Sequence, residues 1–159
     1  MNEMPIVRTE ITLPKQLNFE QAKPQLRQVV KKTAFDLASI MQQSMRGSKS
    51  GRVYKKLRDS KRARSKKRGQ RSPGDYIYHQ ASAPGEAPAS RTGNLRTSIK
   101  PQFESALFWK VQVGAEYGAF LESGTRKMSP RPFGDPAFQQ IKPIFDQAVT
   151  QVFTNLEGV

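Results

Sequence analysis

Residues Gly114 to Phe138, GAEYGAFLESGTRKMSPRPFGDPAF, leave the backbone few alternatives. Glycine and proline recur throughout this run, so its path is set locally. Tyr117 to Glu122 reads as one helical turn. Asp135-Pro136 reads as an N-cap followed by proline at the first helical position. Beyond it, Phe138, Ile141, Ile144, Phe145, Ala148, Val149, Val152, Phe153 and Leu156 recur in helical steps, with a bend expected at Pro143. Before it, Trp109, Val111 and Val113 alternate with Lys110 and Gln112, which predicts a half-buried strand within Phe103 to Ala115. Glu104-Ser105-Ala106 is expected to turn a hairpin back onto Ile99–Phe103, and Pro101 keeps that first strand at an edge or bulge.

The amino-terminal half supplies a second helix. Phe19, Ala22, Leu26, Val29, Val30, Ala34, Leu37, Ala38, Met41 and Met45 form one stripe. Asn18 is the expected cap, Pro24 marks an early start or a kink, and Gly47 is the expected stop. Ile6 to Leu13 alternates partially and reads as a strand ended by Pro14. Together these elements predict an α+β fold: two long amphipathic helices packed on a small antiparallel sheet of three or four strands. At 159 residues the expectation is a single domain, 1–159.

The formal charge of +14 is not evenly spread. Arg46 to Arg71 holds 13 Lys or Arg against one acid, Asp59, while the rest of the chain is close to neutral. Val53, Tyr54 and Leu57 are almost the only apolar residues there, so residues 46–75 are expected to be a long, mobile basic loop. Within it Lys61, Arg62, Arg64, Lys66, Lys67 and Arg68 are the candidate contacts to DNA or another polyanion, since phosphate neutralisation needs charge but little structure. A solvated loop is the plain alternative. A second constrained stretch runs from His79 to Ile99, HQASAPGEAPASRTGNLRTSI. It reads as a fixed irregular loop over 81–90, with Thr92 capping a short helical turn through Leu95 to Ile99; Tyr76-Ile77-Tyr78 just before it reads as extended.

Chemistry finds little purchase. Without cysteine there is neither a disulfide nor a thiolate metal site, and a single histidine excludes multi-His metal sites. No apolar run reaches membrane-spanning length, and the first residues lack a signal-peptide layout, so cytosolic synthesis is expected. Neither glycine-rich phosphate-loop pattern occurs. His79 is the one candidate base, with Ser82 and Ser90 nearby in sequence, but such proximity carries no geometry and a turn or interface residue is the simpler reading. Glu116 and Glu122 match no acid–base spacing rule. The expectation is a protein without enzymatic activity, cofactor, metal or small-molecule substrate; a toxin-like or nuclease enzyme is the remote alternative.

The Gly124–Phe133 segment offers a different kind of site. Pro130 and Pro132 stiffen it, Met128 and Phe133 are apolar anchors, and Arg126 and Arg131 are forks for carboxylates. With Tyr117, Glu122 and Thr125 they form the expected set of subunit or partner contacts.

Both constrained stretches resemble the minor tail or neck (head–tail joining) proteins of long-tailed bacteriophages and prophages. Pro84-Gly85-Glu86-Ala87-Pro88 and Thr92-Gly93-Asn94-Leu95 match the segment that precedes a hairpin in that family. Tyr117, Leu121-Glu122, Gly124-Thr125, Lys127-Met128, Arg131-Pro132-Phe133 and Pro136-Ala137 match the segment that follows it. The resemblance implies a structural virion protein that forms a homo-oligomeric ring, a hexamer, where the DNA-filled head meets the tail. Its neighbours would be a head-completion (stopper) protein and a tail-terminator protein, and packaged double-stranded DNA would pass close by. Residues 46–71 look longer and more basic than that pattern requires. A basic DNA-binding accessory protein acting through the cationic segment is the competing reading.

Overall fold

A computed structural model describes residues 19–157. The expected strand at Ile6–Leu13 and the cap at Asn18 lie outside the described residues. Helix α1 spans Phe19–Ser44 and helix α5 spans Asp135–Glu157. Between them come strand β1 (Val53–Leu57), helix α2 (Lys61–Ser65), strand β2 (Tyr76–Gln80) and helix α3 (Asn94–Ser98), then strands β3 (Ile99–Ser105) and β4 (Phe108–Val113) and helix α4 (Gly118–Ser123). The architecture is α+β, with α1 and α5 packed together and two small antiparallel sheets of two strands each.

The apolar stripes on the two long helices explain their packing. Ala22 and Leu26 near the start of α1 meet Val149 and Val152 near the end of α5. Ala38, Met41 and Met45 at the other end of α1 meet Phe133 and Ala137, so the helices run antiparallel. Leu95 and Ile99 complete that second cluster, and Val111 and Val113 of β4 close over it. Helix α1 is therefore the central element, with α5 on one side and the β3–β4 hairpin on the other. Both prolines sit inside continuous helices, each omitting one backbone donor.

Strand β4 follows its predicted alternation: Trp109, Val111 and Val113 are half-buried while Phe108, Lys110 and Gln112 are exposed. The turn comes later than expected. Strand β3 runs on through Ser105 with a register shift after Phe103, leaving Ala106-Leu107 to reverse the chain. Leu107 packs against the α1–α5 cluster, which draws the turn toward the apolar residue and away from Glu104-Ser105.

The largest departure from expectation lies in residues 46–75. In place of a loop without regular structure there is an arm. Val53–Leu57 pairs antiparallel with Tyr76–Gln80, and the segment between them folds into α2 and two single 3-10 turns. The charge run is broken where pairing needs it: Val53, Tyr54 and Leu57 on one strand face Gln80, His79 and Tyr76 on the other. Lys55 lies over the Tyr76 ring at 5.2 Å, a contact that offsets some of the cost of bringing cations together. Sequence reading saw the repulsion but not these partners, because they lie 19 to 27 residues apart along the chain.

Candidate functional site

Two carboxylates fix the arm. Asp75, buried at the arm's far end, accepts hydrogen bonds from Lys66 Nζ (2.9 Å), Ser72 N (2.8 Å) and Ser72 Oγ (3.0 Å). Those bonds, with the Lys66 ammonium foremost, pull its pKa down from 3.8 to about 2. At the root, Glu86 accepts from Ser50 Oγ, from Ser50 N and from Ala83 N (2.8 Å), and its pKa falls from 4.5 to about 2 chiefly through the Ser50 hydroxyl. Both groups bind a proton more weakly folded than unfolded. Their stabilisation is complete above the unfolded values of 3.8 and 4.5 and is lost as pH falls from there toward 2. Three of the four tyrosines, Tyr54, Tyr76 and Tyr78, lie in the arm, whereas Trp109 lies on the body. Acid titration should therefore perturb tyrosine near-ultraviolet dichroism over this range, and Asp75→Asn should produce the same change at neutral pH with the Trp109 emission unmoved. Parallel loss of both signals would show that arm and body unfold as one unit.

Of the six candidate polyanion contacts, two are engaged internally. Lys66 belongs to Asp75, and Arg64 pairs with Asp59 at the surface. Lys61, Arg62, Lys67 and Arg68 are exposed and form no ion pair among the described residues. They cluster on α2 and the 3-10 turn after it. Ser60 caps α2 by accepting from Ala63 N at 3.2 Å, and Ala63 is its one buried residue.

The two constrained stretches meet in space. Gly85 N donates to Pro130 O (2.9 Å), Arg131 Nε donates to Ser82 O (3.3 Å), and Arg131 N donates to Leu121 O (2.7 Å). Gly85 and Gly124 both have positive φ, +80° and +76°. At Gly124 a Cβ would also lie 2.8 Å from Met128 O, so only glycine fits this turn. Thr125 and Met128 close the turn with reciprocal backbone bonds.

This arrangement corrects part of the expected contact set. Phe133 is only 1% exposed and belongs to the core, not to an outer surface. Glu122 turns inward: Oε2 accepts from Phe133 N and Gly134 N (2.9 Å each), and Oε1 accepts from Asp135 N (2.8 Å). It supplies the cap that sequence reading had assigned to Asp135. Arg131 is half-buried and holds the 81–90 loop. Tyr117, Thr125 and Arg126 remain exposed, and Met128 is partly so. His79 stands opposite Tyr54 in the arm and makes no hydrogen bond to Ser82 or Ser90 among the described residues. Thr92 does contribute to α3, accepting from Asn94 N at 3.4 Å, although Gly93 is the residue at the cap.

An aromatic cluster escaped the sequence reading. Phe35 and Phe103 each lie 5.6 Å from the Trp109 ring, yet Phe35 is 49% and Phe103 63% exposed. Phe35 falls beside the α1 stripe rather than on it, and that off-stripe aromatic was the available signal. Comparison with protein-family models, curated proteins and solved structures finds no match to this chain.

Proposed function

We propose that this chain is a structural protein of the phage neck, forming a homo-oligomeric ring that joins the DNA-filled head to the tail. The observation that carries the reading is the meeting of its two constrained stretches. Separated in sequence by the β3–β4 hairpin, they are tied together by the Gly85–Pro130 and Ser82–Arg131 hydrogen bonds into one stiff ledge. A preorganised ledge loses little entropy on docking, which suits assembly from identical copies. Exposed Tyr117, Thr125 and Arg126 edge it, and the Phe35–Trp109–Phe103 cluster supplies an apolar face of the kind that copies of a chain cover in one another. Stopper and tail-terminator proteins would occupy the two faces of the ring, and the arm would reach the DNA channel.

Sedimentation and electron microscopy of the purified chain test this. Closed rings are expected, and the pair Phe35→Ser with Phe103→Ser should dissociate them. Losing two aromatic anchors costs about 2 kcal/mol or more per interface, roughly a 30-fold weaker association. The monomer should stay folded, since neither side chain belongs to the buried core. A chain that is monomeric at every concentration, or rings indifferent to both substitutions, would count against the reading.

The arm favours a second reading, a DNA-binding accessory protein. A two-stranded ribbon fits the B-DNA major groove, about 12 Å wide, and this ribbon carries Lys55 and Lys56, with the exposed cations Lys61, Arg62, Lys67 and Arg68 beyond its end. Tight duplex binding by a monomer that never closes into rings would select it.

A further inference from the structure

At the root of the arm lies an open cleft of about 530 Å3, bounded by the end of α1, the chain leading into β1, His79, and the 89–93 segment with α3 behind it. Arg46, Lys49, Arg91 and Arg96 line it, and no carboxylate does. Lys49 is already committed, donating to Ser44 O at 2.9 Å at the carboxyl end of α1. The three guanidiniums form no ion pair among the described residues. Four like charges around one concavity repel one another, and no acidic side chain in the lining neutralises the three guanidiniums. Gly93, at φ +83°, adopts the left-handed conformation that favours glycine and turns the chain from this wall into α3. Ser90 and Thr92 add hydroxyl donors to the wall.

We propose that this cleft is a phosphate-binding site, and that its ligand is the phosphodiester backbone of duplex DNA. Planar guanidiniums pair two-pronged with phosphate oxygens, and three of them around one open cleft, in line with the cations at the other end of the arm, suit a phosphodiester strand that runs on past the cleft. The cleft and the cations Lys61, Arg62, Lys67 and Arg68 then sit at opposite ends of the arm, so a duplex lying along the ribbon would be gripped at both. The proposal rests on the DNA-contact half of the function proposed above, and its test separates the two.

Fluorescence anisotropy with a labelled duplex, read across a salt series, is the measurement. Arg46→Gln/Arg91→Gln/Arg96→Gln should weaken binding about tenfold and lower the slope of log K against log salt by roughly 2 to 3, as expected for three lost phosphate contacts. The matching Arg→Lys triple should keep most of the slope yet lose affinity, because it retains charge but not the fork. Lys61→Ser/Arg62→Ser/Lys67→Ser/Arg68→Ser should act separately, with its own slope loss. If that variant loses duplex binding while the Arg→Gln triple matches wild type in affinity and slope, the cleft proposal fails and DNA contact through the arm stands. If wild type binds no duplex, both fail. Inorganic triphosphate serves as the small-anion probe: a triple variant that loses triphosphate binding but keeps duplex affinity would overturn the nucleic-acid assignment.

Discussion

Phe133→Ala should destabilise the isolated chain by about 3–5 kcal/mol, the range for truncating a fully buried phenylalanine. Phe133 and Ile99 are the largest side chains with almost no exposure. The ring ties the two long helices together, with Met41 of α1, Met45 just after it, Leu95 of α3 and Ala137 of α5 in the same cluster. Little nearby can collapse into the void. Gly118 has no side chain to move, and a Cβ there would already come within 2.8 Å of Val113 Cγ1 and 3.8 Å of the Phe133 ring. The cost therefore belongs toward the upper end of the range. At roughly 2–4 °C per kcal/mol for a chain of this size, the melting temperature should fall by about 10 °C or more. Urea or thermal unfolding of monomer decides the matter. An exposed anchor would leave monomer stability within about 0.5 kcal/mol of wild type and weaken only assembly. That result would remove Phe133 from the core.

Phe133 also shows where sequence reading stops. The helices α1 and α5 and the inward face of β4 were legible because burial is written in their periodicity: Ala38 and Met41 or Trp109 and Val111 recur at spacings that only one face can satisfy. Phe133 has no such context. It stands alone between Pro132 and Gly134, and an isolated aromatic in a stiff loop reads equally well as an outward anchor or an inward plug. What decides is the floor provided by Gly118 and Leu95, which are 15 or more residues upstream. The arm was lost for the same reason. Its cations dominate the local composition, whereas the groups that order it act across the chain: Asp75 on Lys66, Glu86 on Ser50, and β2 on β1. Of the candidate site, the exposed ends (Tyr117, Arg126, Lys61, Arg62) were legible from charge and position. The division between free and internally engaged members was not, because it depends on which acid lies within reach.

Glu122→Ala should cost about 2–3 kcal/mol, an unusual amount for a half-buried acid, because one carboxylate serves three donors. Asp135 N, the first amide of α5, has no carbonyl partner from a preceding helical turn, and Phe133 N and Gly134 N lie in the bend just before it. At the entry to α5 all three converge on Glu122 from the neighbouring short helix, and the negative charge also lies where the dipole of a 23-residue helix favours it. Alanine leaves those amides to water that must reach a partly buried corner. Glu122→Gln separates the contributions: it retains an acceptor oxygen but loses the charge and turns an NH2 group toward amides, so roughly half the loss is expected to remain. The Asp135→Ala variant is the control. Its side chain is exposed and makes no hydrogen bond that caps α5 among the described residues, so it should cost no more than about 0.5 kcal/mol. The reverse ranking, with Asp135 the costly site and Glu122 silent until subunits assemble, would place the Glu122 carboxylate back on the outer surface. Hydrogen exchange at Phe133, Gly134 and Asp135 gives the same answer one amide at a time: in Glu122→Ala these three should exchange far faster, while amides in the middle of α5 change only by the global loss of stability.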